Sequence, residues 1–232
     1  IDFSELKKQS IDFLLDESLR AFCRSKHIKL KRGLVFEGKP GNGKSLSLRW
    51  LKNEAYKAGI HFQKFEHPDE FFESREQFHR KNAKHIFVFE DFDALLRERT
   101  DMGDLPNTIL ASILNTLDGV DEIVDVVSIF TTNKIKLFDS AFLRPGRIDN
   151  VISFEPPDSS QIKLFFEAYI PEYKEYFDKL EKEIFSMTDN ASYAIIKGIC
   201  DDINIYEFSL QKKLDLDTLL RLSINKLKAA NK

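Results

Sequence analysis

Long apolar runs are missing from this 232-residue chain: none approaches the roughly 20 residues a membrane-crossing helix needs, and 31% of the residues are charged. As written, the chain is expected to be soluble. Cysteine is scarce as well. Cys23 and Cys200 stand far apart without metal-ligand spacing, which excludes a disulfide framework and fits a reducing compartment, the cytoplasm first. The histidines, His27, His61, His67, His79 and His85, form no HxxxH pair, so no zinc site is expected. Neither sign of charge dominates. With 35 Lys and Arg against 38 Asp and Glu, net charge is −3, and nothing global argues for nucleic acid or an anionic membrane. The sequence opens on Ile1 in place of methionine, and residues 1–22 are too charged for a secretory leader. The chain reads as an excised fragment, and whether an upstream targeting or membrane segment precedes it stays open at this point.

What is present begins at GKPGNGKS, residues 38–45, where the hydrophobic run 33–37 meets an amphipathic stretch. A strand, a glycine loop and a helix in that order turn successive backbone N–H groups toward one point, and the helix N-terminus adds partial positive charge. Gly38, Gly41 and Gly43 give the loop its backbone freedom, Lys44 offers a point charge to the β and γ phosphates, and Ser45 offers a hydroxyl to Mg²⁺. Lys39, Pro40 and Asn42 complete the loop, and Leu46 follows in the helix. The match to GxxxxGK[ST] is complete, so a nucleoside triphosphate with Mg²⁺ is the expected ligand.

Around that loop the pattern alternates. Strands are predicted at 34–37, 60–65, 85–90, 126–132 and 150–154, and helices at 43–58, 68–81 and 105–117, after a helical lead-in over 4–26. IFVFED is continuously apolar before its acids, as a strand covered on both faces requires. After Pro156 and Pro157 the pattern turns helical, with stretches predicted at 161–168, 172–185, 192–203 and 216–228. The expected architecture is α/β: a P-loop NTPase with a five-stranded parallel sheet flanked by helices, followed by a small C-terminal helical lid. The expected domains are 1–156 and 157–232.

A phosphate cradle does not by itself decide the fate of the γ-phosphate. Glu90 and Asp91, with Asp93 shortly after, close the run 86–89. Ligand sites of parallel sheets lie at the carboxyl ends of strands, so these acids should emerge beside the cradle. One carboxylate can hold Mg²⁺ through water while its neighbour polarises an attacking water.

With those acids in place, SIFTTNKIKLFDSAFLRPGRID, residues 128–149, resembles the region of homology that defines the AAA family of ATPases. The resemblance is strong over 31–156 and weaker beyond. It implies that Asn133 is the sensor-1 asparagine that orients the attacking water, and that Arg144 and Arg147 are the paired arginines that reach a neighbouring subunit's site. A guanidinium is permanently charged and suits the charge of phosphoryl transfer. It implies ATP hydrolysis in a cleft between large domain and lid, and a homo-oligomeric ring of six or seven subunits acting on a protein partner. The family's Ser-Gly-Ala stretch near the nucleotide is represented by Ser192, Tyr193 and Ala194, with no obvious sensor-2 arginine.

Within the family, the chain is most similar in appearance to the mitochondrial translocase subgroup that moves the folded Rieske iron–sulfur protein. The acids stand in the order Glu90, Asp91, the reverse of most members; ILNTLDGV at 113–120 resembles its helix; and the connection from Phe65 to Ile86 is short. By position Glu90 takes the Mg²⁺ side and Asp91 the water side, with Ser45, Glu90 and Asp91 as the metal set. No glycine occurs from Ile60 to Met102, so an aromatic-glycine threading loop is not expected. Phe71, Phe72 and Phe78, at helical spacing, read as core, while the loop 97–104 is equally readable as channel-facing or solvated. Two rivals stay open. A GTPase or kinase is one, although Lys136 stands where an NKxD guanine reader needs Asp. A nucleotide-gated scaffold with negligible hydrolysis is the other.

Overall fold

The computed structural model describes residues 3–74, 78, 83–93, 113, 124–137, 147–173, 191–215, 218–219, 221–223 and 225. Within them the chain divides into two compact units, one of residues 1–38 and 44–154, the other of 39–43 and 155–232.

The first unit opens with α1 (Phe3–Lys7), a π-helical turn at Lys8–Asp12, α2 (Phe13–Leu15) and α3 (Glu17–Ser25). The Asp16 carboxylate caps α3 by accepting the Leu19 N–H at 2.9 Å, which satisfies one of the orphan donors of its first turn. Then come β1 (Lys31–Glu37), α4 (Lys44–Lys57), β2 (His61–Phe65), α5 (Pro68–Ser74), β3 (His85–Phe89), β4 (Val126–Thr132) and β5 (Asn150–Ser153). The strands form one parallel five-stranded sheet in the order β2-β3-β4-β1-β5. All residues of β3 and β4 are buried, whereas β2 and β5 at the edges are largely exposed or half-buried.

Strand alternation sends side chains to two faces, and each face is covered. One carries Leu34, Phe36, Ile86, Val88, Val127 and Ile129, packed with Leu48, Leu51 and Ala55 of α4 and with Leu6, Ile11 and Leu14 of the N-terminal helices. The other carries Val35, Phe87, Phe89 and Phe130, packed with Phe65, Phe71, Phe78 and Phe92. Phe71 and Phe78 thus belong to the core, with Phe72 partly buried against it. Burying an aromatic of this size contributes roughly 1.5–3 kcal/mol.

Neighbouring β1 and β4 send their onward connections in opposite directions, β1 toward β2 and β4 toward β5. In open α/β sheets that switch point places the ligand crevice outside the carboxyl ends of the two strands.

The second unit is helical where described. α6 (Ser159–Tyr169) starts with a capping box between Asp158 and Gln161, and α7 (Tyr193–Leu210) starts at the Ser192 cap. Ile162 and Phe166 of α6 pack with Ile196, Ile199, Cys200 and Ile203 of α7 and with Leu214 and Leu219. Among the described residues no helix is long and apolar enough to cross a membrane. Of the helices predicted at 68–81, 105–117 and 172–185, residues 75–77, 79–81, 105–112, 114–117 and 174–185 lie outside the described residues, and Ile113 holds a helical position.

Candidate nucleotide site

β1 ends at Glu37, and the Gly38 N–H donates to the Thr132 carbonyl at 3.2 Å, so the start of the loop is tied to the end of β4. Gly41 and Gly43 take φ of +82° and +96°, the left-handed region that side chains resist. A Cβ on Gly41 would also lie 2.7 Å from the Ser192 hydroxyl and 2.9 Å from the Ala194 methyl. The Ala194 N–H donates to the Gly41 carbonyl at 3.1 Å, so the loop segment 39–43 and the start of α7 meet within the second unit. Asn42 is buried there.

Lys44 heads α4 and is 8% exposed. Its ammonium donates to the Gly38 carbonyl and, at 2.8 Å, to the Asn133 side-chain oxygen at the end of β4. Burial lowers its pKa, and the charges of Asp91 and then Asp93 oppose that shift. Lys44, Asn133, Asp91 and Asp93 are therefore gathered at the carboxyl ends of β1, β3 and β4. Ser45 and Leu46, the next two residues of α4, are exposed.

Glu90 faces elsewhere. Its carboxylate pairs with Lys64 of β2 at 2.8 Å, and Lys64 also reaches Glu66 at 2.9 Å. The hydrogen bonds that Lys64 donates to these acids, Glu90 first, push its pKa up to about 12. The register explains the pairing. Lys64 stands opposite Val88, and Glu90 lies two residues on, the diagonal neighbour on the same face. Asp91 follows in a left-handed turn, φ +47°, with its N–H donating to the Thr131 hydroxyl at 2.8 Å.

Arg147 lies at the other end of the sheet. A Cβ on Gly33, near the start of β1, would fall 1.7 Å from the Arg147 carbonyl, so only glycine admits that approach. The segment is fastened by two bonds of 2.8 Å, Gly33 N–H to the Asp149 carboxylate and Asp149 N–H to the Gly33 carbonyl. Arg144 and the loop 97–104 lie outside the described residues.

Within the first unit the arrangement fits the phosphates of a nucleoside triphosphate: a buried ammonium at a helix head and a neutral amide beside it. Among the described residues no group of three or more His, Cys, Asp or Glu could hold a metal ion without help. Mg²⁺ keeps waters and substrate phosphate oxygens around one or two protein ligands, and the carboxylates of Asp91 and Asp93 act on Lys44 at this end of the sheet.

The model of the ATPase family associated with various cellular activities (AAA) matches residues 34–156, more than half of the chain. The chain belongs to the AAA ATPase family. Among curated relatives, this AAA chain is 31% identical over 189 residues to a cell division cycle protein 48 homolog of Archaeoglobus fulgidus, covering 76% of this chain and 25% of that protein. It is 29% identical over 212 residues to a proteasome-activating nucleotidase of Sulfurisphaera tokodaii, covering 86% and 54%. It is 29% identical over 190 residues to the 26S proteasome regulatory subunit 4 homolog of Saccharomyces cerevisiae, covering 77% and 43%. The AAA chain thus spans from about a quarter to about half the length of these relatives. Thr131 and Lys64 were not singled out by motif, and Asp93 was named beside the two acids without a role of its own. Only the strand register, which sets β3 between β2 and β4, brings them into view.

Proposed function

We propose that this chain is an ATP-hydrolysing AAA module that assembles into a homo-oligomeric ring, of six or seven subunits, and remodels or moves a protein partner. The observation that carries the reading is the Lys44 ammonium, buried at the head of α4 and bonded to Asn133 with Asp91 and Asp93 nearby. The names of the relatives, a proteasome-activating nucleotidase and a proteasome regulatory subunit, support a protein partner.

In this reading residues 38–46 hold the phosphates, with Lys44 on the β and γ oxygens. Ser45 holds Mg²⁺ with an acid of the β3 end. Mg²⁺, when bound, neutralises charge on the transferring phosphoryl group. Asp91 accepts a proton from the attacking water and Asn133 orients that water. Glu90 joins the metal side on leaving Lys64. Arg144 and Arg147 act on the neighbour's site. The domains divide at residue 156.

The inverted acids and the short connection between β2 and β3 support the likeness to the translocase subgroup that moves a folded cargo. Buried Phe71 and Phe78 favour it further, because core side chains are not free to grip an extended chain. A second reading, a nucleotide-gated scaffold with negligible turnover, is favoured by the engagement of Glu90 with Lys64.

The deciding experiment measures ATP turnover per subunit against protein concentration, with GTP as competitor. Turnover that rises with concentration supports the ring motor. Nucleotide-dependent assembly without turnover selects the scaffold, and stronger competition by GTP than by unlabelled ATP would reject the ATPase.

A further inference from the structure

The ends of β3 and β4 are joined by two crossed hydrogen bonds that lie beyond the last rung of the strand ladder. Register pairing between these strands ends at Phe89 with Phe130. Past it, the Asp91 N–H donates to the Thr131 hydroxyl at 2.8 Å, from the β3 end to β4. In the reverse direction, the Asn133 N–H donates to the Asp93 carboxylate at 3.1 Å. Thr131 and Asp93 are 1% and 4% exposed, so the acceptor residue of each bond is buried. They replace ladder bonds that the left-handed turn at Asp91 has interrupted. Each acceptor belongs to one segment and fixes the backbone of a residue on the other. The two residues so fixed are Asp91, whose charge acts on Lys44, and Asn133, whose side chain accepts from Lys44.

We propose that Asp93 and Thr131 are positioning residues that form a clasp setting the water-activating acid Asp91 and the orienting amide Asn133 at a fixed separation for hydrolysis. The proposal rests on the hydrolytic reading above. Neither residue touches the reacting atoms in this account. Asp93 acts through the Asn133 backbone and Thr131 through the Asp91 backbone. The clasp fixes the backbones of Asp91 and Asn133, the pair that acts on the attacking water, so it governs the rate of the chemical step more than nucleotide binding. A shift of well under a van der Waals radius at a reacting centre is enough to slow catalysis strongly.

Four variants of the full chain test it. Asp93→Ala and Thr131→Val remove the acceptors, while Asp93→Asn and Thr131→Ser keep one. The first pair is expected to lower kcat roughly tenfold or more, the scale of one lost buried hydrogen bond, with KM for ATP changed less than about threefold. The second pair is expected to recover most of the rate. Unchanged kcat in Asp93→Ala and Thr131→Val would overturn the clasp. So would an Asp93→Asn chain no faster than Asp93→Ala, since charge and not the acceptor would then matter. Amide hydrogen exchange at Asp91 and Asn133 provides a readout independent of turnover. It should quicken about tenfold or more in the acceptor-less pair and stay near wild type in the conservative pair. If the wild-type chain binds ATP without hydrolysing it, the hydrolytic reading fails, and unchanged exchange in the first pair would separately reject the clasp.

Discussion

At the scale of single residues, the order Glu90, Asp91 matters because the two acids are sent in different directions. A strand alternates its side chains, and the left-handed turn at Asp91 then re-aims the chain. Glu90 is held by Lys64 of β2, while Asp91 contributes the larger of the two acidic influences on buried Lys44. Asp91→Asn is therefore expected to leave ATP affinity nearly unchanged while lowering turnover by roughly 10²–10⁴-fold, the contribution of a positioned general base. Glu90→Gln is expected to cost less turnover and to raise the Mg²⁺ concentration needed for half-maximal rate. Steady-state kinetics across a Mg²⁺ titration checks both. Intact turnover in Asp91→Asn with none in Glu90→Gln would reverse the assignment. Lys44 and its loop were readable from eight consecutive residues because their chemistry is local. Lys64 was not, since its role depends on which strand becomes the neighbour of β3.

At the scale of elements, β3 shows what a doubly covered strand demands. Its five residues are all buried, and the burial includes His85, which is 6% exposed and stacks between His61 and Phe87 with ring centroids at 5.3 and 5.4 Å. The shape of the ring suits this aromatic cluster, but its charge does not. Burial, and then the neighbouring His61, push the His85 pKa down to about 4 from 6.5. The folded state therefore resists a proton that the unfolded chain accepts. Stability from the neutral imidazole is complete above pH 6.5 and is lost as pH falls from there toward 4. Thermal unfolding followed from pH 7.5 to 5 should show a falling Tm in the native chain. In His85→Phe, which keeps a ring in the same place, that fall should be smaller; an equal fall would assign the acid sensitivity elsewhere. The sequence disclosed β3 and β4 because continuous burial writes itself as continuous apolarity. It disclosed less of β1, whose first residues Lys31 and Arg32 pair with Val126 and Val127 through backbone groups that leave no mark on residue type. The helix predicted over 192–203 runs on to Leu210, where exposed Ile205, Tyr206 and Phe208 break the amphipathic rhythm that a boundary is read from.

At the scale of the whole molecule, one candidate group does not join the others. The Arg147 backbone lies beside Gly33, five residues before Gly38 on β1, which at about 3.3 Å per residue is roughly 16 Å along the strand. Both positions belong to the same compact unit, so this separation is internal to it. An arginine that stabilises phosphoryl-transfer charge must contact the transferring group, and such a group can be supplied in trans. A head-to-tail ring would give each phosphate loop an Arg147 from the next copy, because heterologous contacts that close generate cyclic assemblies. The consequence is a complementation that a self-sufficient site does not permit. Lys44→Ala and Arg147→Ala chains should each lose turnover when assembled alone. In an equal mixture with random placement, half of the subunits retain Lys44, and half of those have a neighbour that retains Arg147. Turnover should then recover to about a quarter of the wild-type rate if each site fires independently, and to less if the copies must act in concert. The mixture is measured after co-refolding, with each variant alone and the wild type as references. A mixed preparation as inactive as its parents, with assembly shown by size, would place the complete site within one chain or deny Arg147 its part in it.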